Sequence, residues 1–165
     1  MPEAKSVFIV SACLLGERVR YDGKCRAITD PRLIKALREG RAVPVCPEVL
    51  GGLAVPRPPC EIEKGASSRD ILARKAKITD QRGRDFTPAY VSGAKKALGA
   101  ARSCGAAAAL LKESSPSCGS HTVHDGTFAR RKVPGQGVAA CLLEGAGVRV
   151  FSEHELDKLF AYVGP

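Results

Sequence analysis

Ala106-Ala107-Ala108-Ala109-Leu110-Leu111 runs directly into Lys112-Glu113-Ser114-Ser115-Pro116-Ser117-Cys118-Gly119. The first half has the composition of a strand buried on both faces. The second half cannot continue it: Pro116 has no N–H to give to a ladder, and Gly119 tolerates positive φ. The junction therefore predicts a strand that stops at a turn, with a cysteine and several hydroxyls at its carboxyl end. Two further cysteines share this setting. Cys13 follows Val7-Phe8-Ile9-Val10-Ser11-Ala12, and Cys46 follows Ala42-Val43-Pro44-Val45.

Outward from these strands the pattern turns helical. Asp30-Pro31 supplies an N-cap and a proline at the first helical position. Leu33, Ile34 and Leu37 form the apolar face of that helix, and Gly40 stops it. Thr87 to Arg102 is a longer helix, with Val91, Ala94, Ala97 and Leu98 at helical spacing. Val138 to Glu144 is a third helix, and Val148 to Phe151 a fourth strand. Ser152 and Glu155 have capping-box spacing for a last helix over 153–162. Between these lie less regular stretches. Cys46 to Leu53 and Pro56-Arg57-Pro58-Pro59 read as a shaped loop over a site. Asp70 to Lys77 fits a short helix or an edge strand, His121 to Phe128 a small hairpin, and Arg130 to Gly137 a basic loop. Alternating strands and helices predict an α/β fold: a single-domain Rossmann-like parallel sheet flanked by helices, over residues 1–165, with its site at the C-terminal ends of the strands.

Composition narrows the function. The chain has 165 residues, 44% apolar, and no apolar run near the roughly 18 residues of a membrane span. The N-terminal region lacks a secretory pattern, so a cytoplasmic location with no membrane partner is expected. In that compartment seven cysteines point to metal binding or thiol chemistry rather than to disulfides. The net charge of +9 attracts anions such as nucleotides or RNA phosphates. Aromatics are only 5%, with no Trp, which argues against an extended base-stacking platform.

Cys13, Cys46 and Cys118 fall at strand ends and should converge there. Three thiolates suit a soft metal centre. An iron–sulfur cluster with one iron left open and a three-ligand zinc with a water are both consistent with that set. Cys141 and Cys104 read as core or helix-end thiols, and Cys25 and Cys60 as loop thiols. Glu48, in Cys46-Pro47-Glu48, is placed to take up or deliver a proton beside such a centre. Ser115 and Ser117 read either as donors to a substrate or cluster sulfur, or as turn caps. Tyr21-Asp22-Gly23 reads either as a flap over the pocket or as a plain turn.

Four blocks together resemble the DUF523 family, whose characterised members are thiouracil desulfidases. They are Val10 to Gly16 with Val19-Arg20-Tyr21-Asp22-Gly23; Pro44 to Glu48 with Gly51-Gly52-Leu53 and Pro56-Arg57; Leu111 to Gly119; and Asp125-Gly126-Thr127-Phe128 with Gly135 to Val138. The resemblance implies a [4Fe-4S] cluster held by Cys13, Cys46 and Cys118, with one iron open to a thiocarbonyl sulfur. It implies Glu48 as acid/base carboxylate and Ser115 as assisting hydroxyl. Ser117, Lys112, Tyr21 and Asp22 are the expected substrate-binding residues. The implied reaction is non-redox desulfuration of a thiolated nucleobase such as thiouracil, with sulfide as product. A thiolated nucleotide or tRNA is the alternative substrate. A non-catalytic metal or RNA-binding module and a zinc hydrolase are the alternatives of other classes.

Overall fold

The structure is a computed structural model and describes residues 5–165; residues 1–4, part of the expected domain span, lie outside them. In chain order the first elements are β1 (Phe8–Ser11), α1 (Pro31–Arg38), β2 (Ala42–Val45), α2 (Pro47–Leu50), β3 (Cys60–Ile62), α3 (Ser68–Leu72) and β4 (Ile78–Asp80). They are followed by α4 (Thr87–Ser103), β5 (Ala108–Leu111), β6 (Thr122–His124), β7 (Lys132–Pro134), α5 (Val138–Gly145), β8 (Arg149–Ser152) and α6 (Leu156–Val163).

The central sheet is parallel and has four strands in the order β2-β1-β5-β8. Period-two alternation divides its side chains between two cores. Phe8, Val10, Ala108 and Leu110 pack against Leu33 and Ala36 of α1 and Leu159, Phe160 and Val163 of α6. Ile9, Ala109 and Leu111 face the other way, against Leu98 and Ala101 of α4 and Ala140 and Leu143 of α5. Burial of each large side chain contributes about 1.5–3 kcal/mol, so covering both faces holds the sheet. The chain winds one way from β1 to β2 and the other way to β5. A crevice therefore opens outside the carboxyl ends of these strands, at the switch point.

A third core lies beside the sheet. The β3–β4 hairpin contributes Cys60, Ile62 and Ile78, which pack on Tyr90 and Ala94 of α4 and on Val138 and Ala139 of α5. Helix α2 lies hard against α4. A Cβ at Gly93 would run into the carbonyl of Pro47, and one at Gly51 into that of Ala89. Only glycine at both positions lets the helices approach this closely.

The parallel sheet and its helical layers are as the alternation predicts. Several details differ. Ile34 and Leu37 are 40% and 42% exposed, and the buried face of α1 is Leu33 and Ala36, because the helix meets the sheet along a narrower stripe than the heptad pattern suggests. The segment after Cys46 is the short helix α2, with Pro47 at its first position. Asp70 belongs to α3, where Ser67 and Asp70 form a capping box. The hairpin at residues 122–124 pairs with Lys132–Pro134, inside the stretch expected to be a basic loop. The last helix starts at Leu156. Ser152 and Glu155 do bond: the Ser152 N–H donates to Glu155 Oε1 at 3.1 Å and the His154 N–H to Ser152 Oγ at 3.2 Å. That pairing closes a turn ahead of the helix instead of capping it. No helix among the described residues is long and apolar enough to cross a membrane.

Candidate functional site

Each strand end in the crevice delivers its cysteine by a different device. After β1 the chain turns tightly through Ala12–Leu15, which buries Cys13. After β2, Cys46 is the N-cap residue of α2. After β5, the loop over residues 112–121 buries Cys118. All seven cysteines are free thiols. Burial pushes the Cys13 thiol up to about 11 and the Cys118 thiol up to about 12, and it raises Cys46 as well. Cys46 lies near enough to both Cys13 and Cys118 for its charge to raise them further. The Ser11 and Ser117 hydroxyls beside Cys118 pull the other way, as do Arg20 and Lys112 beside Cys13.

Glu48 rides on the first turn of α2 and joins this group. Its Oε1 accepts from Arg57 Nε at 3.0 Å and from the Tyr90 hydroxyl at 3.0 Å. Its Oε2 accepts from Ser117 Oγ at 2.8 Å and Ser115 Oγ at 3.4 Å. The Arg57 and Glu48 side chains are only 5% and 13% exposed. Arg57 is itself anchored, donating to the carbonyls of Ala54 at 3.0 Å and Val19 at 2.8 Å. Burial, and then the neighbouring Glu48 charge, raise the Tyr90 phenol far above its ordinary value, so it stays a donor.

The hydroxyl pair has a direction. Ser115 Oγ accepts the backbone N–H of Ser117 at 3.1 Å and of Cys118 at 3.0 Å, which fills its acceptor positions. Its single O–H is then the donor, shared between the 2.8 Å contact with Ser117 Oγ and the longer 3.4 Å contact with Glu48 Oε2. Ser117 in turn donates to Glu48 at 2.8 Å, a better bond than its 3.6 Å contact with Cys118 Sγ. The result is a chain from Ser115 through Ser117 to the carboxylate.

The remaining expected residues lie around this centre with other bonds to keep. Lys112 Nζ donates to Glu153 Oε1 at 2.8 Å and to the Glu113 carbonyl at 3.3 Å. Asp22 accepts the Lys24 N–H at 3.0 Å, as in a turn, and its carboxyl is held low by that bond and by nearby cations despite some desolvation. Tyr21 is 41% exposed at the rim. His121 and His124 bond Glu113 and the Ser114 carbonyl and hold the loop together. Cys60 belongs to the β3 core, its thiol pushed up to about 11 by burial. Sequence reasoning overlooked Tyr90 and gave Arg57 no role. Arg57 does lie in the proline-rich stretch expected to cover a site. Tyr90 resembles any other core residue of a helix, and nothing near it in sequence signals a carboxylate partner.

Fold and site together define a class: a doubly wound α/β protein whose strand-end crevice gathers thiols, a bridged carboxylate and hydroxyls. The chain belongs to the 2-thiouracil desulfurase family, whose model matches residues 8–155. It is similar to the uncharacterized protein YbbK of Bacillus subtilis (strain 168), with 44% identity over 153 residues, 93% of this chain and 99% of that protein. Among solved structures it is similar to a [4Fe-4S]-dependent thiouracil desulfidase, TudS. The identity is 42% and the TM-score 0.87, over 96% of this chain and 97% of that one. The family expected from the motifs is thus the family found.

Proposed function

We propose that this chain, acting as one domain over residues 1–165, is a [4Fe-4S]-dependent desulfidase. It would hydrolyse the C=S bond of thiouracil to give uracil and sulfide. The observation that carries this reading is the Glu48 carboxylate, bridged on one oxygen to Arg57 and Tyr90 and on the other to two serine hydroxyls, in the crevice shared by Cys13, Cys46 and Cys118.

The residues fit the cofactor. Three cysteines, which bind metal as thiolates, are a ligand set suited to a soft cation. In this reading Cys13, Cys46 and Cys118 hold the group. When bound, it supplies a Lewis-acidic iron with an affinity for sulfur.

The chain's own residues do the rest. Water supplies the oxygen, sulfur leaves as sulfide, and no net electrons move. Glu48 accepts the water's proton at Oε2, the oxygen that faces the hydroxyls, while Arg57 and Tyr90 fix Oε1 and keep the carboxylate oriented. Ser117 and Ser115 extend the proton route from Oε2 across the loop, with Ser115 as the assisting hydroxyl at its far end. Lys112, Tyr21 and Asp22 line the approach, where substrate oxygen and ring would be held.

A second reading, a thiolated nucleotide or tRNA, is favoured by one feature. A cavity of about 970 Å³ along α4 is lined by Leu50 and Val91, by Arg74, Lys77, Lys95 and Lys96, and by one carboxylate, Asp85. Its cations would suit phosphates of a longer substrate.

Anaerobic reconstitution with iron and sulfide, followed by absorption spectra and a sulfide-release assay, tests the proposal. The expected result is a brown protein that frees sulfide from 2- or 4-thiouracil. A brown protein active only on thiolated tRNA or nucleotides would transfer the reading to the second substrate class. A protein that takes up no iron would overturn it.

A further inference from the structure

Buried arginines in this molecule are well satisfied, with one exception. Arg41 donates to the carbonyls of Ser6, Val163, Gly164 and Pro165. Arg57 donates to Glu48, Ala54 and Val19. Among the described residues, the one buried side-chain nitrogen or oxygen without a hydrogen-bond partner is Arg20 Nη1. The Asp22 carboxylate is 3.7 Å from it, close enough for charge pairing and too far for a hydrogen bond. The Arg20 side chain is 19% exposed, yet its Nη1 is shut off from solvent, and a buried donor left unmet is costly.

Arg20 is also held in place. Its backbone N–H donates to the Lys24 carbonyl at 3.2 Å and its carbonyl accepts the Gly23 N–H at 2.9 Å, which closes the turn after Cys13. Its guanidinium lies 5.7 Å from the centre of the Tyr21 ring. From there its charge reaches the Cys13 sulfur. The other cations near the crevice are engaged: Arg57 with Glu48 and Lys112 with Glu153. Among the described residues, Arg20 alone keeps a buried side-chain donor without a hydrogen-bond partner.

We propose that Arg20 is the counter-cation of the [4Fe-4S] group, with its Nη1 N–H donating to a sulfur of that group and offsetting the negative charge of the three thiolates. The inference rests on the desulfidase reading. It names a positioning residue that acts on the cofactor's charge and leaves proton transfer to Glu48. A neutral thiouracil ring offers a cation no negative charge to pair with, whereas an anionic cluster does. Hydrogen bonds to the sulfurs and local charge set the potential of such a centre.

The test is an EPR-monitored redox titration of the reconstituted holoprotein without substrate, comparing the unaltered chain with Arg20→Met, Arg20→Gln and Arg20→Lys. Loss of the donor and the charge should disfavour the reduced, more negative state. Arg20→Met and Arg20→Gln should each shift the reduction equilibrium about tenfold, a fall in midpoint potential of about 59 mV for one electron. Arg20→Lys should recover part of that shift. The melting temperature of the cluster-free proteins should not fall in the two neutral variants, because removing an unmet buried donor offsets the weak 3.7 Å pairing with Asp22 that is lost with it. Unchanged potentials in both neutral variants would overturn the inference, and so would a rise in KM with no change in potential, which would give Arg20 to the substrate. If cluster-free Arg20→Met and Arg20→Gln both unfold, Arg20 is a structural residue and the inference fails. If the unaltered chain binds no cluster, the desulfidase reading itself fails.

Discussion

Two carboxylates lie on either side of the same loop and are held in opposite ways. Glu113 accepts mainly from the backbone: the N–H groups of Ser114 at 3.2 Å, Ser120 at 2.9 Å, His121 at 3.0 Å and Thr122 at 3.1 Å. The Ser120 hydroxyl and His121 Nδ1 add to these. Glu48 accepts only from side chains, two of them serine hydroxyls. Backbone N–H groups cannot give up a proton, so Glu113 stays an anion except in strong acid and pins both ends of the loop carrying Ser115, Ser117 and Cys118. Hydroxyls can pass a proton on, so Glu48 sits in a network that can change state. Burial works to raise the Glu113 carboxyl, yet the hydrogen bonds from His121, Thr122 and Ser120 outweigh it and hold the group at about 2. One carboxylate builds the site and the other is free to act in it.

The widest break in that comparison comes from Glu48→Gln. The amide cannot take up a proton, so kcat for sulfide release should fall by about 10²–10⁴, a barrier change of about 3–5 kcal/mol. The cluster's absorption should change little. A variant that keeps near-normal turnover would place the proton transfer elsewhere.

Glu113→Gln should do the reverse. Losing an anion that collects so many N–H groups should cost stability on the order of 2 kcal/mol after allowance for solvent around the loop, with kcat changed only severalfold. The acid limb tests the cause. The Glu113 carboxyl is lowered from the ordinary 4.5, so its contribution is complete above about 4.5 and disappears as pH falls towards about 2. Denaturant titrations at pH 7 and pH 3 should show the gap between the unaltered protein and Glu113→Gln closing in acid. A gap that stays constant would mean that the carboxylate charge is not what holds the loop.

Ser117→Ala gives the smallest effect and the sharpest distinction. Glu48 would keep Arg57 and Tyr90 but lose its 2.8 Å donor and the link to Ser115. One charge-assisted hydrogen bond is worth about 1.5 kcal/mol, so kcat should fall about tenfold. Ser115→Ala should cost turnover by a similar factor and also loosen the loop, because its Oγ accepts the N–H groups of Ser117 and Cys118. Equal melting temperatures for the two variants would contradict the direction assigned to the hydroxyl chain.

The parallel sheet, its two helical layers and the three strand-end cysteines were legible because each has a local cause. Apolar runs such as Phe8 to Val10 and Ala108 to Leu111 can only be buried strands. A cysteine after such a run must fall at its carboxyl end, and Asp30-Pro31 caps a helix whatever its surroundings. Short elements were harder. The α2 helix has its proline and Glu48 in the first turn, but flanking glycines and prolines hid it. The β6–β7 pairing joins residues whose polar sequences look like loops.

The site's bonding was decided by tertiary structure alone. Tyr90 lies 42 positions from Glu48 and meets it only because glycines at 51 and 93 let α2 press onto α4. Arg57 reaches Glu48 from a loop that is also tied to the Val19 carbonyl. Glu113 gathers backbone groups that come together only once its loop has closed. Sequence sets which groups a residue carries and how its own turn of chain bends. Which distant group fills a given hydrogen bond depends on how separate elements pack, and that geometry exists only when the whole chain has folded.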